Sequence, residues 1–308
     1  MMANPWGGNL GPMIRLVPGA NPKNALKMIS DAGNLLTNVS SGISGIDRYN
    51  RYLAWASQQG NLLSYQLHPD EVDRLVTTRR YWSLLSLDSS TVDGGTLAEL
   101  VDGEMRQRGV DLEDAKKRIA SDMRRWDDGE AVAIVLDTNV WLKHFDDPIK
   151  DADWLDSLDE RPSVPLVVTV PMKVVDELDR HKRNRANAPS GGKPIRRRAG
   201  LALKYLEANA ALPGERKTLQ QGSMSSQPPT STIHLVVLEQ PLDRPPLVDA
   251  DLEIIDRARS IMPYANRVRI VTTDYGMVYR SRQAGLEALR VKDYEEERDD
   301  QSVDGTVS

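Results

Sequence analysis

Apolar and polar positions follow two different rhythms along this chain, and the change between them falls near Trp126. From Asn21 to about Trp126, apolar residues recur every three or four positions, the period of helices that bury one face. Asn21-Pro22 opens a first helix carrying Ala25, Leu26, Met28 and Ile29, and Ser44 to Gln59 carries a second. His68-Pro69-Asp70 opens a third that runs through Val72, Leu75, Tyr81 and Leu84; Thr96 to Arg108 and Asp111 to Trp126 complete the set. No strand rhythm interrupts them. Residues 1–128 are therefore expected to form a separate all-helical domain of unassigned role, with a flexible Gly-, Pro- and Asn-rich start.

After Trp126-Asp127-Asp128-Gly129 the rhythm shortens. Ala131 to Leu136 is the most continuous apolar run and ends abruptly in Asp137, as does a strand buried on both faces of a parallel sheet. Further strands are expected at Pro165 to Val170, Ile233 to Leu238, Val268 to Thr272 and Ala288 to Val291. Helices are expected between them: near Trp154 to Leu158, in MKVVDELDRHK after Pro171, in IRRRAGLALKYLEANA, from Asp251 to Met262 and from Met277 to Ala284. This alternation predicts an α/β domain over residues 129–292, a parallel sheet with helices on both faces. Pro213 to Thr230 reads as a mobile Gly-, Ser-, Gln- and Pro-rich loop, and residues 293–308 as an acidic disordered tail.

Composition narrows the chemistry. The 308 residues suit two domains, with 40% hydrophobic and 28% charged positions. Cysteine is absent, which removes disulfides, thiolate nucleophiles and cysteine-held zinc together. The four histidines stand singly, with no helical zinc pair, so a metal here would be held by oxygen. No apolar run approaches the about 18 residues of a membrane helix, and Met1 to Leu10 lacks a basic start and an apolar core. The expected location is cytoplasmic.

Each strand-to-helix junction of the second domain supplies an acid. Asp137 ends the first strand, Glu177 lies in the first turns of the helix after the second, Asp251 opens the helix after the third, and Asp274 follows the fourth. Parallel strands end at one edge, so these four acids are expected to converge on one crevice. Converging carboxylates repel unless a cation joins them, and an all-oxygen set suits Mg²⁺ or Mn²⁺. Asp249 and Asp256 stand near enough to Asp251 to replace it as the third acid. Asn139 and Thr273 are candidates for orienting the carboxylates from behind, or simple turn and cap residues.

The motifs IVLDTNVWL, VVDELDRHK, DADLEIIDRA and VTTDYGMVYRSRQAGL make the chain from about Ala131 to Val291 resemble a PIN domain. The stretch VVDELDRHKRN followed by RRRAGLALKYLE is similar to the subgroup found beside PhoH-type ATPases and in nonsense-mediated-decay endonucleases. The resemblance implies a Rossmann-like three-layer fold and a metal-dependent endoribonuclease, with Asp137, Glu177, Asp251 and Asp274 as its catalytic, metal-binding acids. The alternative is a PIN-like module that binds RNA or protein without cleaving.

Positive charge for a substrate begins on the Glu177 helix and continues beyond it: Arg180, Lys182, Arg183, Arg185, Lys193, Arg196, Arg197 and Arg198. An isolated basic run is usually a solvated face, but beside an acidic crevice it reads as a rim that tracks the phosphates of single-stranded RNA. In the helical half, Arg48, Tyr49, Arg51, Tyr52 and Trp55 interleave basic and aromatic side chains; Tyr52, Trp55 and Gln59 fall at core spacing, and core packing is the expected role. That half would carry contacts to a regulatory protein or to a second copy.

Overall fold

The computed structural model describes residues 13–39, 44–88, 91–149, 153–183, 194–210, 214–240 and 245–292, in two compact units that divide at Arg124/Arg125. The expectations for residues 1–12, for Arg185 and Lys193 and for the acidic tail lie outside these.

The first unit consists of α1 (Pro22–Val39), α2 (Gly45–Leu63), α3 (Pro69–Leu75), α4 (Arg79–Leu85) and α5 (Gly94–Arg125). Two boundaries differ from expectation. The helix from His68 breaks after Leu75 because Val76-Thr77-Thr78 are three successive β-branched residues with poor helical propensity. Thr78 then caps α4 by accepting the N–H of Tyr81 at 3.2 Å. Conversely, the two helices expected over Thr96–Arg108 and Asp111–Trp126 are one, running through Gly109-Val110. A glycine inside a helix costs only about 1 kcal/mol. Burial of Met105, Leu112, Ala115 and Ile119 along one face outweighs it.

Tyr52, Trp55 and Gln59 are all buried, as core spacing requires, and the Trp55 indole donates to the Ala32 carbonyl at 3.1 Å, joining α2 to α1. Beneath them Glu104 accepts from Thr78 at 2.9 Å and pairs with buried Arg108 at 3.0 Å. Burial, and then the charge of Glu104, pushes the Tyr52 phenol above its ordinary range.

The second unit holds a six-stranded sheet. In chain order it comprises β1 (Val132–Leu136), α6 (Thr138–Lys143), α7 (Asp153–Asp156), β2 (Leu166–Pro171), α8 (Met172–Arg183), α9 (Ile195–Asn209), β3 (Arg216–Gln220) and β4 (Ile233–Leu238). α10 (Ala250–Ile261), β5 (Arg267–Thr272), α11 (Tyr275–Gln283) and β6 (Glu287–Arg290) follow. The order across the sheet is β3-β4-β2-β1-β5-β6, and every neighbouring pair is parallel except β3 with β4. All residues of β1, β2 and β4 are buried, which explains their largely apolar sequences, interrupted only by Thr169 in β2 and His234 in β4. Each fully buried Val, Leu or Ile contributes roughly 1.5–3 kcal/mol, so these strands are the main source of cohesion.

The antiparallel β3 corrects the sequence reading, which placed a mobile loop over Pro213 to Thr230 and a wholly parallel sheet. Its residues Arg-Lys-Thr-Leu-Gln are exposed or half-buried, so no apolar alternation marks them. Their charges suit an edge strand, where they discourage further pairing. Ser223 and Thr230 then exchange backbone hydrogen bonds of 3.0 and 2.9 Å.

The chain moves outward from β1 through β2 to β4, then crosses back by α10 to place β5 on the other side of β1. That reversal leaves a crevice at the carboxyl ends of β1 and β5, the position at which open α/β sheets bind ligands.

Candidate functional site

Asp137 stands at the end of β1, 5% exposed, its backbone N–H held by the carbonyl of Val271 on β5 at 2.9 Å. One carboxylate oxygen accepts the N–H of Thr138 at 2.6 Å, capping α6; the other accepts the hydroxyl of Thr272 at 2.8 Å. Burial raises its pKa to about 6. The hydrogen bonds from Thr272 and Thr138 oppose that rise, and the charges of Asp251 and Glu177 add to it.

Two threonines tie the other acids to this centre. The Thr138 hydroxyl donates to Glu177 Oε2 at 2.6 Å, drawing α8 towards the end of β1. Thr272 Oγ1, besides donating to Asp137, accepts the backbone N–H of Asp274 at 3.0 Å. Asp274 caps α11 by accepting the N–H of Gly276 at 2.7 Å, and its side chain is half exposed.

Asp251 lies in the first turn of α10 and receives the guanidinium of Arg280, which also reaches to 3.9 Å from Asp274. Burial raises the pKa of Asp251; Arg280 opposes that rise, and Asp249 and Asp274 add to it. Gly276 leaves room for the arginine, since a Cβ there would stand 3.3 Å from Arg280 Nη2. Of the two alternatives to Asp251, Asp249 is committed to capping α10 through the N–H of Leu252 at 3.0 Å, and Asp256 lies 3.6 Å from Arg257.

The crevice thus places Asp137, Glu177, Asp251 and Asp274 within electrostatic reach of their neighbours. Among the described residues, however, no three His, Asp or Glu side chains stand close enough to hold one ion as they are. The donor set still fits a hard divalent cation. It is all oxygen, buried Asp137 accepts from two neutral donors, and among the described residues the guanidinium of Arg280 already lies on Asp251.

Sequence reasoning named Asn139 and Thr273 as orienting groups, whereas the hydroxyls bonded to the acids belong to their neighbours Thr138 and Thr272. Asn139 is exposed and Thr273 half-buried. Strand alternation held the signal: Thr272 is the last residue of β5 and fully buried, so its hydroxyl needed a partner. Arg280 was missed altogether, although it lies one turn beyond Gly276 on α11.

The basic residues divide. Arg180, Lys182 and Arg183 occupy the last turn of α8, where cations favour the helix dipole, and Arg183 pairs with Asp179. Arg196 and Arg197 are exposed in the first turn of α9, where the dipole disfavours them. Arg198 turns inward and donates to the carbonyl of Leu142 at 3.5 Å.

Residues 134–292 match the family model of the PIN domain, whose members are typically nucleases that use divalent metals. No curated protein matches the chain significantly. Among the described residues no helix is long and apolar enough to cross a membrane.

Proposed function

Because this chain belongs to the PIN domain family, we propose that it is a metal-dependent endoribonuclease that hydrolyses phosphodiester bonds in single-stranded RNA. The observation that carries this reading is the pair of threonine hydroxyls, Thr138 and Thr272, which gather Glu177, Asp137 and Asp274 from three separate junctions onto one crevice. A fold that only needed caps would have no use for cross-links between them.

Asp137, Glu177, Asp251 and Asp274 would hold Mg²⁺ or Mn²⁺. When bound, the metal supplies an activated water and neutralises charge developing on the phosphate. The chain's own groups do the rest. Thr138 and Thr272 fix the carboxylate planes, since each hydroxyl has only one direction in which to donate. Val271 fixes the backbone of Asp137. Arg196 and Arg197 supply positive charge at the amino end of α9, a position that favours anions and therefore suits phosphate contact.

A second reading, a module that binds RNA or protein without cleaving it, is favoured by one observation: Arg280 already neutralises Asp251. The two readings separate in one experiment. End-labelled single-stranded RNA, duplex RNA and single-stranded DNA are incubated with the protein in Mg²⁺, Mn²⁺ or EDTA, beside Asp137→Ala, Glu177→Ala, Asp251→Ala and Asp274→Ala. The expected result is metal-dependent cleavage of single-stranded RNA, lost on each substitution non-additively because the acids act as a unit. Cleavage that persists in EDTA or in Asp137→Ala would overturn the assignment, and RNA binding without any cleavage would favour the second reading.

A further inference from the structure

Beside the crevice α11 presents two large aromatic side chains to solvent. Tyr275 follows Asp274 directly and is 61% exposed; Tyr279, one turn further, is 69% exposed. Exposed tyrosines are individually unremarked features of surfaces, but this pair has three properties that a solvated helix face does not require.

The first is register. Residues four apart on a helix share a face and are displaced along it by about 6 Å. This spacing is close to that of successive nucleotides in an extended, unstacked strand, whereas stacked bases lie about half as far apart. The opposite face of α11 carries the buried Met277, Val278 and Ser281, so the helix has no freedom to turn the tyrosines inward.

The second is support. The guanidinium of Arg290, on β6, lies 3.9 Å from the centre of the Tyr275 ring. One face of that ring is covered by a cation and the ring is thereby held in place, while its exposure shows the remainder to be open.

The third is charge. α11 contains no acid after its cap, and Arg282, also exposed, lies one turn from Tyr279. Aromatic rings interleaved with guanidinium groups bind single-stranded nucleic acid through base stacking and phosphate attraction.

We infer that Tyr275 and Tyr279 form a stacking platform for two consecutive unpaired bases of an RNA strand, adjoining the crevice at Asp274. The inference rests on the nuclease reading and deepens it, because it supplies a reason for single-strand preference. A base in a duplex has both faces covered by its neighbours and cannot reach these rings. The strand's backbone turns towards the acids, and its bases lie outward over α11.

The test uses the full chain carrying Asp137→Asn, so that binding is read without cleavage, and a fluorescein-labelled oligouridylate, whose bases stack weakly on one another. Anisotropy gives its affinity in a Ca²⁺ buffer of fixed ionic strength. Tyr275→Ala with Tyr279→Ala should weaken binding by roughly thirtyfold or more, at about fivefold or more per ring. Tyr275→Phe with Tyr279→Phe should bind as the parent does, since stacking uses the ring and not the hydroxyl. An abasic strand of equal length should bind the parent and the double alanine variant equally. Both tyrosines being exposed, thermal melts of the variants should match the parent. A double alanine variant that binds oligouridylate within threefold of the parent would overturn the platform, as would equal losses for the normal and the abasic strand. In that event RNA cleavage by the otherwise unaltered chain would leave the nuclease reading standing. If the parent binds no strand and the unaltered chain cuts none, both readings fall.

Discussion

The guanidinium of Arg280 rests on the carboxylate of Asp251 and reaches to 3.9 Å from Asp274, so one side chain bridges the acids of two different junctions. It occupies the electrostatic role that a divalent cation would take. Its Nε is buried without a hydrogen-bond partner, which indicates that the arginine is held by its charge and not by a complete set of bonds. A metal held at the proposed site would therefore compete with it.

Arg280→Ala removes that competitor and a repulsive charge together. The expected outcome is roughly tenfold tighter Mn²⁺ binding by calorimetry, a coupling of about 1–3 kcal/mol being typical of directly interacting sites. In EDTA the same variant should melt at a lower temperature than the parent, because Asp251 and Asp274 lose their counter-charge. Unchanged Mn²⁺ affinity would show that the arginine lies outside the metal's path.

Thr272 offers a sharper test of how the acids are positioned. Its Oγ1 both donates to Asp137 and accepts from the backbone of Asp274, so Thr272→Val, which keeps the shape and removes the oxygen, severs two links at once. Cleavage should fall about 10–100-fold, the usual cost of losing a group that orients a ligand. Thr272→Ser should recover most of it. An active valine variant would reduce Thr272 to a packing residue.

Strand and acid positions were legible in the sequence because both obey strong local rules. β1, β2 and β4 are buried on both faces and so are written as largely apolar runs, with Asp137 at the abrupt end of β1; Asp274 follows β5, whose last three residues are buried. β3 escaped because an exposed edge strand carries no apolar signature; its place is decided by pairing with β4. The site divides the same way. The acids and the crevice follow from parallel topology, whereas Thr138, Thr272 and Arg280 act through contacts between elements far apart in sequence. Arg198 illustrates the limit: in a run of three arginines nothing local says that the third donates to Leu142 and the first two face water.

His234 on β4 gives the fold a pH dependence of predictable sign. Its Nδ1 lies 3.1 Å from the Thr218 hydroxyl, and burial, then the charge of Arg216, lowers its pKa, with Asp127 opposing. A depressed folded pKa means that the unfolded state takes up the proton more readily. The neutral imidazole's contribution is thus fully present above the unfolded value of about 6.5 and is lost as pH falls from there through the folded pKa. Melting temperatures of the parent and of His234→Gln should therefore converge, or cross, as pH is lowered from about 7.5 to 5. A constant difference across that range would mean that His234 does not titrate differently on folding.

The two groups of basic residues should separate under opposite criteria, because the helix dipole treats them oppositely. Arg180 and Lys182 lie at the carboxyl end of α8, where positive charge stabilises the helix; Arg196 and Arg197 lie at the amino end of α9, where it destabilises. If α9 carries its arginines for phosphate contact, Arg196→Gln with Arg197→Gln should leave the melting temperature unchanged or raise it while weakening RNA binding. Single-stranded nucleic acid releases counterions with a slope of about −0.7 per neutralised phosphate, so the dependence of log affinity on log salt should flatten by about 1.4 for two lost contacts. The weakening should be uniform across RNA sequences, since phosphates carry no base identity. Arg180→Gln with Lys182→Gln should show the reverse pattern, a lower melting temperature with a smaller change in salt slope. Equal slopes for the α9 variant and the parent would return Arg196 and Arg197 to the role of solvated surface charges.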